Sequence, residues 1–156
     1  MWYADILYNC KRSLIFLSHT LPQTLDAEII VACSHAAAIL VEVCFRGVGI
    51  NAGIVDTLLV RLKGALELAL NDEWWRLREN GDGKRRTLFW AFCIGGIAAV
   101  RRSEGAWFVA QTARFAGLLN VSVWKEAENI LEGVLWHSVW SLPYKAFWND
   151  VNGSLA

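Results

Sequence analysis

The stretch that decides the fold is Arg86-Thr87-Leu88-Phe89-Trp90-Ala91-Phe92-Cys93-Ile94-Gly95-Gly96-Ile97-Ala98-Ala99-Val100-Arg101-Arg102. From Leu88 to Val100 it is apolar or glycine throughout, and an arginine pair stands at each end. Helical periodicity dominates the chain and strand-type alternation is hard to find, so the stretch reads as a helix buried on nearly all sides. Thirteen residues make roughly 20 Å of helix at 1.5 Å per residue, short of the roughly 30 Å hydrocarbon slab. The expectation is a core helix and not a membrane span. Gly95 and Gly96 inside it should cost roughly 1 kcal/mol each relative to alanine. A folded chain tolerates that where the backbone must approach something closely. Two occupants fit: a tightly packed neighbouring helix, or a ligand lying against the Gly95-Gly96 face. In the second reading Trp90, Trp107, Trp124 and Trp136 wall a pocket with few charges. In the first, the same tryptophans are aromatic core at helical spacing.

Working outward, the chain after Arg102 predicts three more helices. Ser103 starts one that carries Trp107, Phe108, Phe115, Leu118 and Leu119. Ser122 caps another, with Trp124, Ala127, Leu131, Val134 and Leu135 facing inward. Pro143 ends or restarts it, and a short helix with Phe147 and Trp148 closes the chain. Before Arg86, residues 76–86 form the most polar segment and read as an exposed loop, the candidate internal break. Lys84-Arg85-Arg86 reads as a solvated helix start.

Further toward the N-terminus, Thr24 caps a helix with Asp26 and Glu28 in its first turn, and Gly47 and Gly49 stop it. Its apolar face is Leu25, Ile29, Cys33, Ala36/Ala37, Leu40 and Cys44. A second helix runs from about Ala52 to Leu70, with Ile54, Leu58, Leu62, Ala65/Leu66 and Ala69 as its stripe. A short glycine turn between them predicts an antiparallel pair. The fold class expected is all-α, an antiparallel helical array without a sheet, over residues 1–156 as one helical domain or a fragment of a larger one.

The 156 residues carry 15 Lys+Arg and 15 Asp+Glu, a formal net charge of zero, so there is no overall pull toward nucleic acid. The chain is 55% hydrophobic, with mean hydropathy +0.32. That is greasy for a free monomer and points to a partner, a missing segment, a homodimer or a membrane surface. Asp5, Asn9, Lys11 and Arg12 interrupt Met1–Leu17, so no signal peptide is expected there. Cys10, Cys33, Cys44 and Cys93 include no C-x-x-C pair, so they read as reduced core thiols and not as a zinc site.

Candidate chemistry is sparse. Glu28, His35 and Glu42 share a helix face, but successive members lie roughly 10 Å apart along the axis, too far for one metal. His137 and Ser138 are adjacent and point in different directions, so they do not share a proton. Gly81-Asp82-Gly83-Lys84 lacks the spacing of a phosphate loop and reads as a turn. No catalytic residue and no metal ligand is expected.

The ordered landmarks of the C-terminal half are Leu88-Phe89-Trp90, Gly95-Gly96-Ile97-Ala98-Ala99, Trp107-Phe108, Trp124, Ile130-Leu131, Leu135-Trp136 and Trp148. From about Leu88 to Val151 this series resembles the C-terminal tail of the regulatory domain of fungal zinc-cluster transcription factors. The resemblance implies a large all-helical regulatory domain that senses metabolites or contacts the transcription machinery. It also implies a nuclear protein whose parent binds DNA through a six-cysteine, two-zinc cluster. The four cysteines here do not match that cluster, so zinc is expected only in a missing N-terminal part, and this segment makes no direct nucleic acid contact. His137 and Ser138 stand where members of the family often carry an acidic residue. The function expected is therefore a regulatory portion acting through protein contacts and small-metabolite sensing. A small membrane-associated helical protein is the first alternative, and an all-helical enzyme using His35 or His137 the second.

Overall fold

The computed structural model describes residues 27–45, 52–71, 82–136 and 141–155. Within them the architecture is all-α, with helices α1 (Ala27–Phe45), α2 (Ala52–Asn71), α3 (Asp82–Ala98), α4 (Gly105–Leu118), α5 (Trp124–Glu132) and α6 (Ser141–Leu155). No strand occurs among the described residues. The chain divides into two compact units, Met1–Asn71 and Asp72–Ala156. The expected cap at Thr24, the glycine stop at Gly47 and Gly49, and the polar stretch from Arg76 to Gly81 lie outside the described residues.

In the first unit α1 and α2 pack against each other as a helical hairpin. Helix α1 buries Ile29, Cys33, Ala36, Ala37 and Leu40 of the expected face, together with Ala32 and Ile39 beside it, while Leu25 lies outside the described residues. In α2 the buried stripe is Val55, Leu59, Leu62, Ala65/Leu66 and Ala69. The expected first-turn positions are corrected here: Ile54 is 38% exposed whereas Val55 is 9% exposed. The reason is geometric. Steps of four, three, four and three residues hold one azimuth, whereas two successive steps of four, as in Ile54-Leu58-Leu62, drift about 40° each at 3.6 residues per turn. Lys63 and Glu67 face away and approach to 3.9 Å. Cys33 is a free thiol in this core, and burial pushes its pKa up to about 12.

In the second unit α3 is the hub, packing against α4, α5 and α6. Leu88 through Gly96 are all buried, which an apolar helix requires and an amphipathic one could not satisfy. Helix α3 begins a turn earlier than the sequence reading, at Asp82, so Asp82-Gly83-Lys84 is helical and not a turn. Asp82 sits at the positive end of the helix dipole and pairs with Arg85 at 3.4 Å. Thr87 Oγ1 donates to the Gly83 carbonyl at 2.8 Å, so this buried hydroxyl is satisfied within the first turns. The basic cluster is likewise not wholly solvated, because Arg85 is only 3% exposed. An arginine stem can lie on apolar surface while its head finds a carboxylate.

At its other end α3 stops at Ala98 and not at Arg102. Arg102 N–H donates to the Ala99 carbonyl, and Arg101 takes φ 63°, a left-handed conformation that reverses the chain. Helix α4 follows with Glu104, not Ser103, at its N-cap. It ends in a Schellman motif: Val121 N–H donates to the Ala116 carbonyl and Asn120 N–H to the Gly117 carbonyl, with Asn120 at φ 54°.

Val123 occupies the N-cap of α5 in place of the expected Ser122. The Glu126 carboxylate, at the third helical position, reaches back and accepts from the Ser122 amide and hydroxyl and from the Val123 amide. These backbone N–H groups hold the Glu126 pKa below the usual carboxylate value. Helix α6 takes Pro143 in its first turn, where a missing N–H is harmless, and buries Tyr144, Phe147, Trp148 and Val151.

Where α6 meets α3, the backbone of Gly96 lies under the Phe147 ring. A Cβ built on Gly96 would stand 2.2 Å from Phe147 Cζ. Helix–helix approach therefore accounts for the glycine at this position. Gly96→Ala is expected to lower the stability of the full chain by up to about 2 kcal/mol. Overpacking of about 1–3 kcal/mol outweighs the propensity gain of about 1 kcal/mol. Thermal unfolding of G96A beside G96A/F147L checks this: the second substitution should restore part of the loss, and a G96A variant more stable than the parent would refute the close contact.

Candidate functional site

The six residues expected around a pocket fall in the second unit, and the structure distributes them over three environments. Trp90 is fully buried in α3, and its indole Nε1 donates to the Leu135 carbonyl at 2.8 Å. That bond fastens the chain just beyond α5 to the hub helix. Gly95 is buried one residue before Gly96, and its carbonyl accepts from the Ala99 amide at 2.8 Å.

Trp107, in the first turn of α4, is half-buried and belongs to an aromatic group formed with α3. Its ring lies 5.9 Å from Phe92 and 4.9 Å from Phe108, and Phe92 lies 5.0 Å from Phe115. Trp124 and Trp136 belong to another group, built around Tyr144 of α6. Trp124 and Trp136 are 6.2 Å apart, with Tyr144 5.2 Å from the first and 4.6 Å from the second. Three mutually inclined rings resemble a cage for a quaternary ammonium, but these spacings are those of rings in contact with one another. The cluster fills itself.

A cleft of about 590 Å³ opens beside this core. Gly96 and Val100 of the α3 end, Ala106 and Val109 of α4, and Phe147 of α6 supply its apolar lining. Arg101 and Arg102 of the α3–α4 turn line it too, as do Asn149, Asp150 and Ser154 of α6. Of the six sequence candidates, Gly96 is the one at this cleft; Trp90 is buried in the core, and Trp107, Trp124 and Trp136 are half-buried in the aromatic groups. Sequence reasoning did not single out Arg101, Arg102 or Asp150. The Arg101-Arg102 pair was visible as the bracket of an apolar run, but the left-handed turn that places it beside α6 is a tertiary feature.

Elsewhere, His35 is half-buried on α1. Burial, followed by the charge of Arg61, lowers its pKa, which favours the neutral imidazole. Glu28 is exposed and Glu42 half-buried on the same helix. No group of three or more His, Cys, Asp or Glu arranged to hold a metal occurs among the described residues. His137 and Ser138 lie outside the described residues. Cys93 is a free thiol at the centre of α3, with its pKa well above the ordinary value because of burial. No described helix is long and apolar enough to cross a membrane. Comparison of the chain with protein-family models, curated proteins and solved structures returns no match.

Tyr144 Oη and Trp148 Nε1, buried in the aromatic core, find no hydrogen-bond partner among the described residues. The contrast with Trp90, whose indole is bonded, gives a paired test. Tyr144→Phe removes a buried hydroxyl that gains nothing in the folded state, so it should leave stability unchanged or raise it by up to about 1 kcal/mol. Trp90→Phe strands the Leu135 carbonyl and opens a cavity, and should cost about 2–3 kcal/mol. Denaturant midpoints of the two variants check the pair; a Y144F loss as large as that of W90F would contradict this description of the core.

Proposed function

We propose that this chain is the regulatory, non-DNA-contacting portion of a fungal-type transcription factor, working in the nucleus through protein contacts and small-metabolite sensing. The observation that supports this reading most is the placement of the landmark series. Phe89, Trp90, Gly95, Gly96, Trp107, Phe108, Trp124, Leu135, Trp136 and Trp148 fall within one compact helical unit. Six of the ten, namely Phe89, Trp90, Gly95, Gly96, Phe108 and Trp148, are buried on its three principal helices. The series that carries the resemblance is thus a packing pattern, and a packing pattern transfers fold more readily than chemistry.

On this reading the partners are the remainder of the regulator and components of the transcription machinery. Any DNA contact belongs to a zinc-cluster segment elsewhere in the parent protein. The zero net charge of the chain is consistent with that division of labour.

A reporter experiment tests the proposal. The full chain is fused to an unrelated DNA-binding domain and placed upstream of a reporter in a fungal host. The expected result is transcription shifted several-fold, up or down, relative to the DNA-binding domain alone. An expressed, nuclear fusion that leaves the reporter unchanged would count against the regulatory reading.

A further inference from the structure

The cleft between the α3–α4 turn and α6 has a charge pattern that the core packing does not explain. Its basic side carries Arg101 and Arg102 from the turn, and its acidic side carries Asp150 from α6. Arg102 also donates to the Ala98 carbonyl, which ties its guanidinium to the turn. The rest of the lining is mostly small or aliphatic, with Gly96, Val100, Ala106 and Val109 joined by the Phe147 ring, and Asn149 and Ser154 are its uncharged polar members. A cavity of about 590 Å³ falls in the size range of small-molecule sites, roughly 300–1,000 Å³.

Each side restricts the occupant. Guanidinium groups recognise carboxylates through paired N–H donors, and a carboxylate between them gains charge-assisted bonds. A polyphosphate or nucleic acid strand would be disfavoured by Asp150 on the facing side and by the neutral chain. A purely apolar ligand would strip water from the exposed Arg101 and Asp150 side chains and give nothing back. The chemistry that satisfies both sides at once is a small zwitterion: carboxylate toward the arginines, ammonium toward Asp150, and an aliphatic side chain over the small residues and the phenyl ring.

We propose that this cleft binds a small aliphatic amino acid, with Arg101 as the principal carboxylate contact and Asp150 as the ammonium contact. The proposal rests on the metabolite-sensing part of the function proposed above and supplies its ligand class.

The left-handed backbone at Arg101 gives a clean variant. Glycine adopts a positive φ without strain, so Arg101→Gly removes the guanidinium while keeping, or easing, the local conformation. The full-length chain, isotopically labelled, is titrated with three probes of matched aliphatic body: leucine, 4-methylpentanoate, which lacks the ammonium, and isopentylamine, which lacks the carboxylate. Amide shifts are followed at residues 100–110 and 149–154. Leucine should bind best, 4-methylpentanoate more weakly and isopentylamine not at all. R101G should weaken leucine by about tenfold or more, the loss expected for a charge-assisted contact. Asp150→Asn should weaken leucine yet strengthen 4-methylpentanoate, because a repelling carboxylate has gone.

Amine binding equal to that of leucine would overturn the proposal, as would undiminished leucine affinity in R101G, or no shifts from either carboxylate at millimolar concentration. The two readings fail separately. A silent reporter with leucine bound in the cleft sinks the regulatory reading alone, whereas an active reporter with no binding sinks the ligand site alone.

Discussion

The close approach of α6 to α3 at Gly96 is the constraint on which the second unit depends. Helix α3 is apolar on nearly every side, and such a helix is stable in water only if neighbours cover the whole circumference. Helices α4, α5 and α6 provide that cover. Phe147 reaches the α3 backbone because position 96 has no side chain. The same contact helps to set where α6 lies beside α3, while α6 also packs along α4.

The aromatic groups show how such a core reaches a single arrangement. Flat rings packed edge to face gain about 0.5–1.5 kcal/mol per pair beyond their burial, and they lock one another's orientation. Phe89 with Trp148, at 6.5 Å and 75°, ties α6 to α3 in this way, and Trp136 with Tyr144, at 4.6 Å and 82°, ties it to the chain beyond α5. The indole bond from Trp90 to the Leu135 carbonyl adds direction, since a hydrogen bond specifies a partner where hydrophobic contact does not. The Tyr144 hydroxyl and Trp148 indole, which find no partner among the described residues, contribute to this packing through their bulk.

Much of this fold was legible in the sequence, and for physical reasons. Three-and-four spacing of apolar residues identified α1 and α2, unbroken apolarity identified α3, and the all-α class followed from the lack of alternation. The Gly95-Gly96 step was legible as a place of close approach. The register of α2 in its first turns was not: Ile54 and Val55 are both apolar, and only the partner helix decides which one faces it. Arg85 misled for a related reason, since its charge predicts exposure while its long stem can be buried with Asp82 at the head. The cleft was the least legible feature. Arg101 and Asp150 are 49 positions apart, and nothing local announces that a left-handed turn and a following helix bring them to the same cavity.

The measurement that tests this account most directly is native-state hydrogen exchange on the full chain, resolved by residue. If α3 is the hub on which the second unit is built, the amides from Phe89 to Gly96 should exchange only through the largest opening of that unit, more slowly than those of α5. Exchange across α3 as fast as that in α5 would mean that the apolar helix is not held at the centre, and the central claim would fall.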